Sequence, residues 1–164
     1  MTVRVPGLKA DLISAVPGLR AFAIALCGNA DKADDLVQET LVRAIGSLSS
    51  FTEGTNLMAW LITILRNIYY NERKKGRREV ADPEGLIAGQ LVSPPAQHAH
   101  MDLLDFRAAL QQLPTEQREA LILIGASGFS YDEAGSICNC ATGTVKSRVN
   151  RARERLSDLL GFEK

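Results

Sequence analysis

The sequence predicts an all-α protein made of two small helical domains joined by a flexible linker, and three observations predict it. Hydrophobic residues make up 46% of the 164, and their recurrence is mostly at i, i+3, i+4, with few stretches alternating at period two. Between about residues 80 and 100 the pattern breaks, where Asp82-Pro83-Glu84-Gly85 and Ser93-Pro94-Pro95 flank a short apolar segment with no basic residue. Residues 129–156 then read as a short helix, a tight turn and a second helix with a basic outer face. The expected units are residues 1–80, a linker over 81–100, and residues 101–164.

Helices are expected near 17–28, 31–48 and 55–75 before the linker. Helix 31–48 places Val37, Leu41, Ala44 and Leu48 on one face and gathers Asp35, Gln38, Glu39 and Arg43 on another. An acidic, amide-bearing helix face beside DNA-binding elements points to a protein partner. Helix 55–75 buries Leu57, Leu61, Ile64, Leu65 and Ile68. Its other side carries Arg66, Tyr70, Arg73 and Arg77 beside Asn67, Asn71, Lys74 and Arg78. Basic, amide and aromatic groups on one surface suit phosphates and unpaired bases. Trp60, Tyr69 and Tyr70 are by residue type more often core or interface than base platforms, and core is the expectation for Trp60.

After the linker, helices are expected near 101–112, 115–127, 130–138 and 142–160. Ser130 with Glu133 three residues on forms a capping-box pattern. Asn139 sits where the chain must turn and tolerates the left-handed conformation. In the last helix Val145, Val149, Ala152, Leu156 and Leu159 define a buried stripe. Lys146, Arg148, Arg151, Arg153 and Arg155 lie off it against the single Glu154, interleaved with Thr144, Ser147 and Asn150. Such a face suits a major groove, where Arg and Lys meet guanine edges or phosphates and the uncharged groups read or position. The alternative is a solvated charged face; the capped helix and tight turn before it favour DNA.

Lys plus Arg equal Asp plus Glu at 19 each, which argues against binding nucleic acid by bulk charge. The charge is local, in residues 66–78 and in the last helix, and two clusters imply two contact sites. The longest apolar segment, Leu57–Leu65 with its continuation to Tyr70, includes Arg66 and is too short to cross a bilayer. No signal-like N-terminus is evident, so a cytoplasmic protein with no membrane partner is expected. Cys27, Cys138 and Cys140 lack matching ligands at zinc spacing, and His98 and His100 fall in the expected linker; no metal and no cofactor are expected.

Asp34-Asp35-Leu36-Val37-Gln38-Glu39-Thr40, Ala59-Trp60-Leu61 with Ile64-Leu65-Arg66-Asn67, Leu113-Pro114 with Gln117-Arg118-Glu119-Ala120-Leu121, and Gly143-Thr144-Val145-Lys146-Ser147-Arg148 with Arg151-Ala152-Arg153 follow in order. Together they resemble the extracytoplasmic-function (ECF) sigma factors of the sigma-70 family. Residues to about 80 look like sigma region 2 and those from about 101 like region 4. Gly125 to Tyr131 and Val149 to Arg153 look most like the alphaproteobacterial general-stress subgroup, called EcfG-type.

The resemblance implies a role for each motif. Asp35, Gln38, Glu39 and Arg43 match the face that docks on the β′ clamp helices of core RNA polymerase, with region 4 meeting the β flap. Phe51, Thr52 and Asn56 lie in the loop that captures a flipped −10 base, and Arg66, Asn67, Tyr70, Arg73 and Lys74 match the grip on the melted −10 strand. Thr144, Lys146, Ser147, Arg148, Asn150, Arg151 and Arg153 match positions that read the −35 element. A small helical anti-sigma factor is an implied partner. Two departures stand out: Gly135 where the supporting helix usually has Ala, and Ala141 at the start of the recognition helix with no capping side chain, where Thr142 is the candidate substitute.

Three rival readings fit less of the chain. A sigma mimic that sequesters an anti-sigma factor is expected to carry a receiver domain, and none follows Lys164. A dimeric helix-turn-helix repressor leaves the polar face of helix 31–48 unexplained. A nucleic-acid enzyme is disfavoured by the lack of clustered catalytic residues or a phosphate-binding Gly-rich loop.

Overall fold

The computed structural model describes residues 5–79 and 98–162, and among them regular structure is entirely helical. In order come α1 (Val5–Cys27), α2 (Ala30–Gly46), α3 (Leu57–Glu79), α4 (His98–Gln112), α5 (Thr115–Leu121), α6 (Tyr131–Cys138) and α7 (Thr142–Leu160). Most of the expected linker lies outside the described residues. Its last three, His98 to His100, are not linker but the first turn of α4.

α1 begins well before the expected residue 17, because Pro17 lies inside the helix rather than at its start. Proline deprives the carbonyl four residues back of its partner. Here both Pro17 and Ile13 are exposed, Ile13 at 72%, so that carbonyl faces water. Gly7–Cys27, with a mean hydropathy of 1.6, is long and apolar enough to cross a membrane, which the sequence reading missed. In the fold its Leu8, Leu12, Leu19, Phe22, Ala23 and Leu26 are buried in the protein core, and about a third of the stretch is buried in all.

α2 starts where Asn29 Oδ1 accepts from the Lys32 amide at 3.0 Å, and Asp31 adds a favourable charge at the positive helix end. It stops at Gly46, short of residue 48, and a 3-10 turn at Leu48–Ser50 follows. Ala33, Leu36, Val37, Thr40 and Ala44 form its inner face, with the expected Leu41 and Leu48 only partly buried. The Thr40 hydroxyl, fully buried, is satisfied by donating to the Leu36 carbonyl at 2.6 Å. α3 is capped by Asn56, whose Oδ1 accepts from the Ala59 amide at 3.1 Å. Its buried side is Leu61, Ile62, Leu65, Ile68 and Tyr69; Leu57, Ile64 and Trp60 are half-buried at the core's edge.

The expected helix 115–127 is α-helical only to Leu121. Ile122–Ala126 forms a π turn, closed by the Ser127 amide on the Ile122 carbonyl at 2.9 Å. The capping box at Ser130 and Glu133 is complete, and Asn139 turns the chain at φ 55°, ψ 49°. Gly135 is explained by packing: a Cβ there would lie 2.9 Å from the Cys140 carbonyl oxygen, so the tight turn requires its absence. Thr142 does not cap α7. Its hydroxyl donates to Asp132 Oδ1 at 2.7 Å, tying α7 to α6, and Ala141 remains a cap without a side-chain bond.

A single apolar cluster runs through both halves of the chain, from Leu12, Leu19 and Phe22 through Leu61, Leu65 and Tyr69 to Leu123, Phe129, Ile137, Val145 and Val149. The two helical units therefore close on each other, with α1 and α3 of the first half packed against α4, α5 and α6 of the second.

Candidate nucleic-acid interface

In α7 the buried stripe consists of Val145, Val149 and Ala152, with Leu156 half-buried. Leu159, expected on that stripe, is 40% exposed, because the end of the helix runs past the elements beneath it. Lys146, Ser147, Asn150, Arg151, Arg153 and Arg155 are exposed, and Thr144 is half-buried at the edge. Lys146 Nζ sits 5.5 Å from the Tyr131 ring centre, a cation–π contact that links the recognition helix to the supporting one. Arg148 differs from the rest. It is half-buried, 3.5 Å from Glu116 Oε2 and 3.7 Å from Cys140 Sγ, so part of its donor capacity is spent inside its own domain.

On α2, Asp35, Gln38, Glu39 and Arg43 are all exposed. Arg43 Nε donates to Glu39 Oε1 at 3.0 Å, an i, i+4 pair that neutralises both on the surface. The sequence reading overlooked Val42 and Ile45, exposed at 65% and 60%. They were findable: 35, 38, 42 and 45 recur at spacings of three and four and share one side of the helix.

The α3 face is divided. Asn67 and Lys74 are exposed, with Asn71, Arg77 and Arg78. Arg66, Tyr70 and Arg73 turn instead toward the second half of the chain. Arg66 Nε donates to Glu119 Oε1 at 2.6 Å and its guanidinium lies 4.8 Å from the Tyr70 ring centre. The Tyr70 hydroxyl donates to Glu119 Oε2 and the Cys138 thiol to Oε1. Arg73 Nη1 donates to the Tyr69 hydroxyl at 2.8 Å and to Thr115 Oγ1 at 2.7 Å. The Glu119 side chain is only 2% exposed. Burial opposes the Arg66 charge, but the Glu119 carboxylate outweighs it and holds the guanidinium's pKa above its ordinary value. Burial, reinforced by the same carboxylate, pushes the Tyr70 phenol and the Cys138 thiol well up, so both stay protonated donors.

The loop expected to capture a base is held at both ends. Phe51 packs on Trp60 with ring centres 5.1 Å apart, and Thr55 Oγ1 donates to the Thr52 carbonyl at 2.6 Å. Thr52 and Asn56 are exposed, but the Asn56 oxygen is occupied in capping α3. The Glu133 carboxyl lies below its usual range, chiefly because it accepts from the Ser130 amide at 3.0 Å.

A contact that sequence reasoning missed lies close by. Arg118, 6% exposed, donates to the carbonyls of Leu26 at 2.6 Å and of Leu110, Gln111 and Leu113 at 3.0 Å each. These belong to the ends of α1 and α4, where helices leave orphan acceptors and favour positive charge. Gln111 Nε2 takes the Ala25 carbonyl at 2.9 Å, and its side chain fills the space where a Cβ on Gly28, at φ 71°, would sit. The motif around Gln117 and Arg118 was visible in the sequence, but no periodic signal marks a buried arginine.

Family models match two stretches of the chain. Residues 12–79 match sigma-70 region 2 and residues 103–156 match sigma-70 region 4. The chain is 61% identical to the ECF RNA polymerase sigma factor EcfG of Rhodopseudomonas palustris, over 93% of this chain and 84% of that protein. It is 36% identical to the ECF RNA polymerase sigma factor SigC of Mycobacterium tuberculosis, over 81% and 72%. Among solved structures it resembles the Bartonella quintana sigma factor RpoE, crystallised with the anti-sigma factor NepR, at 52% identity and a TM-score of 0.84, covering 96% of this chain and 99% of that one. With both sigma regions matched in order and a relative this similar over nearly its whole length, the chain belongs to the ECF sigma factors of the sigma-70 family and resembles their EcfG members most.

Proposed function

We propose that this sigma factor works through three separate surfaces. α2 docks on the β′ clamp helices of core RNA polymerase through Asp35, Gln38 and Glu39, with Val42 and Ile45 adding apolar contact and Arg43 holding Glu39 in place. α3 and the loop before it hold the melted −10 strand through Phe51, Thr52, Asn56, Arg66, Asn67, Tyr70, Arg73 and Lys74. α7 reads the −35 duplex through Thr144, Lys146, Ser147, Asn150, Arg151 and Arg153, with Arg148 at the edge of that face, while region 4 meets the β flap. The protein acts in the cytoplasm on promoters of general stress-response genes, performs no covalent step itself, and is held in reserve by a small helical anti-sigma factor.

The observation that carries this reading is α7: its apolar stripe is fully buried at Val145, Val149 and Ala152 while five cations and three hydrogen-bonding side chains crowd the remaining surface. Set against a supporting helix by a tight turn, such a helix is built to enter a groove. Run-off transcription with purified core polymerase is the test. Initiation from a promoter with both −35 and −10 elements, lost when either is scrambled, is the expected result. Binding to an anti-sigma factor without any transcription would make the protein a sigma mimic instead.

A further inference from the structure

Two of the cations assigned to the −35 element are held from outside their own helix. Lys146 and Arg148 stand two positions apart on α7, about 200° round its axis, so they border the exposed face on opposite sides. Ser147, Asn150 and Arg151 fill the middle of that face and are exposed. On one border the Lys146 ammonium lies 5.5 Å from the centre of the Tyr131 ring, carried by the first residue of α6. On the other the Arg148 guanidinium is met through two nitrogens. Nη2 lies 3.5 Å from Glu116 Oε2 on α5, and Nη1 donates to Cys140 Sγ at 3.7 Å. Contacts at two nitrogens fix the plane of the group as well as its place, and a guanidinium has more N–H donors than these two contacts use.

Such contacts add little to stability: the Glu116 side chain is 65% exposed, and exposed ion pairs and cation–π contacts are weak. Their effect falls on the freedom of the two side chains. Lys and Arg have many rotamers, and a free one gives up that freedom on meeting a base edge. A phosphate accepts from many directions, so many rotamers reach it. Holding the rotamer therefore favours base reading over phosphate binding.

We infer that Tyr131 and Glu116 are positioning residues for −35 recognition: the Tyr131 ring holds Lys146, and the Glu116 carboxylate holds Arg148, in the rotamers that meet the duplex. α5 and α6 then set discrimination without touching a base. The inference rests on the −35 reading of α7 made above. It gives Tyr131, at the end of the Gly125–Tyr131 stretch, a use that the DNA-facing residues do not cover. It also gives a reason for an acidic side chain beside a DNA-reading face, where a carboxylate alone would only repel phosphates.

The test uses holoenzyme reconstituted from core polymerase and full-length variants. Discrimination is the ratio of affinity for a promoter carrying the −35 element to affinity for the same promoter with only that element scrambled, at one fixed salt. Tyr131→Leu removes the ring and Glu116→Gln removes the charge. Each should lower the ratio about two- to fivefold, the shift in rotamer population that loss of a contact of this strength produces. Tyr131→Phe keeps the ring face and should keep the ratio, whatever happens to absolute affinity. Tyr131→Leu should lower the ratio no further in a Lys146→Ala background, nor Glu116→Gln in an Arg148→Ala background. An unchanged ratio in Tyr131→Leu and Glu116→Gln overturns the inference. So does a Tyr131→Phe ratio as low as that of Tyr131→Leu, and so do losses that add fully in the double variants, since those mark a merely structural role. Full discrimination in Lys146→Ala and Arg148→Ala themselves means that the −35 assignment has failed, and the inference with it.

Discussion

Arg118→Met tests whether one buried guanidinium holds the two halves of the chain together. The arginine makes four bonds to backbone carbonyls, one on α1 and three at and just beyond the end of α4. Methionine keeps much of the length and apolar bulk, so the change removes donors more than volume. Each bond from a charged donor contributes about 1.5–3 kcal/mol, and four cannot simply be added because they share one charge. Burial of that charge is costly, as its lowered pKa indicates, and this offsets part of the gain. Taking the loss as about two bonds' worth gives roughly 3–5 kcal/mol. In a chain of this size 1 kcal/mol moves Tm by about 2–4 °C, so a drop of about 10 °C is expected. Urea and thermal unfolding followed by circular dichroism measure it. Arg118→Lys should recover less than half, since an ammonium lacks the planar fork that reaches several carbonyls at once. A loss below about 1 kcal/mol for the methionine variant would show that water serves these carbonyls equally well and would refute the role.

Lys146→Ala and Arg151→Ala should each lower −35-dependent transcription and flatten the salt dependence of duplex binding by about one counterion apiece, with no effect on melting temperature. Arg148→Ala should reduce transcription and also destabilise region 4, because Glu116 and Cys140 lose their partner; unchanged stability would place Arg148 wholly on the DNA side. Asp35→Ala combined with Gln38→Ala should leave stability within about 0.5 kcal/mol per site while weakening affinity for core polymerase, and undiminished affinity with native circular dichroism would remove α2 from the docking surface. Gly135→Ala should destabilise by about 1–2 kcal/mol, since overpacking against the Cys140 carbonyl exceeds the helix-propensity gain of about 0.5–1 kcal/mol. An increase in unfolding midpoint would mean that the turn relaxes to admit a methyl group.

Local signals were legible where one residue type has one physical use. Ser130 with Glu133, Asn139 in the left-handed region and the Val145–Ala152 stripe were readable because capping, turning and period 3.6 are written in short windows. Pro17 misled because proline marks helix starts more often than interiors, and only tertiary packing of Leu12 against the core extends α1 back past it. The candidate faces of α2 and α7 followed from periodicity, but the division of α3 did not. Arg66 and Asn67 are adjacent polar residues that the sequence reads onto one surface, and what separates them is Glu119, over fifty positions away. Long-range pairing of polar groups leaves no periodic trace, which is why Arg118 and Glu119 read only as motif letters until the fold placed them.

The balance of 19 cations against 19 anions acquires a reason from the same contacts. A strongly basic sigma factor would bind DNA indiscriminately, by phosphate contact alone. Here eleven of the 19 cations are gathered in residues 66–78 and in the last helix, and in the first group Arg66 and Arg73 are engaged within the protein. Each face alone is weak. The exposed α2 surface leaves docking on polymerase possible, and docking that fixes the spacing of the two regions would convert two weak contacts into one bivalent attachment whose avidity exceeds either by about 10²–10⁴.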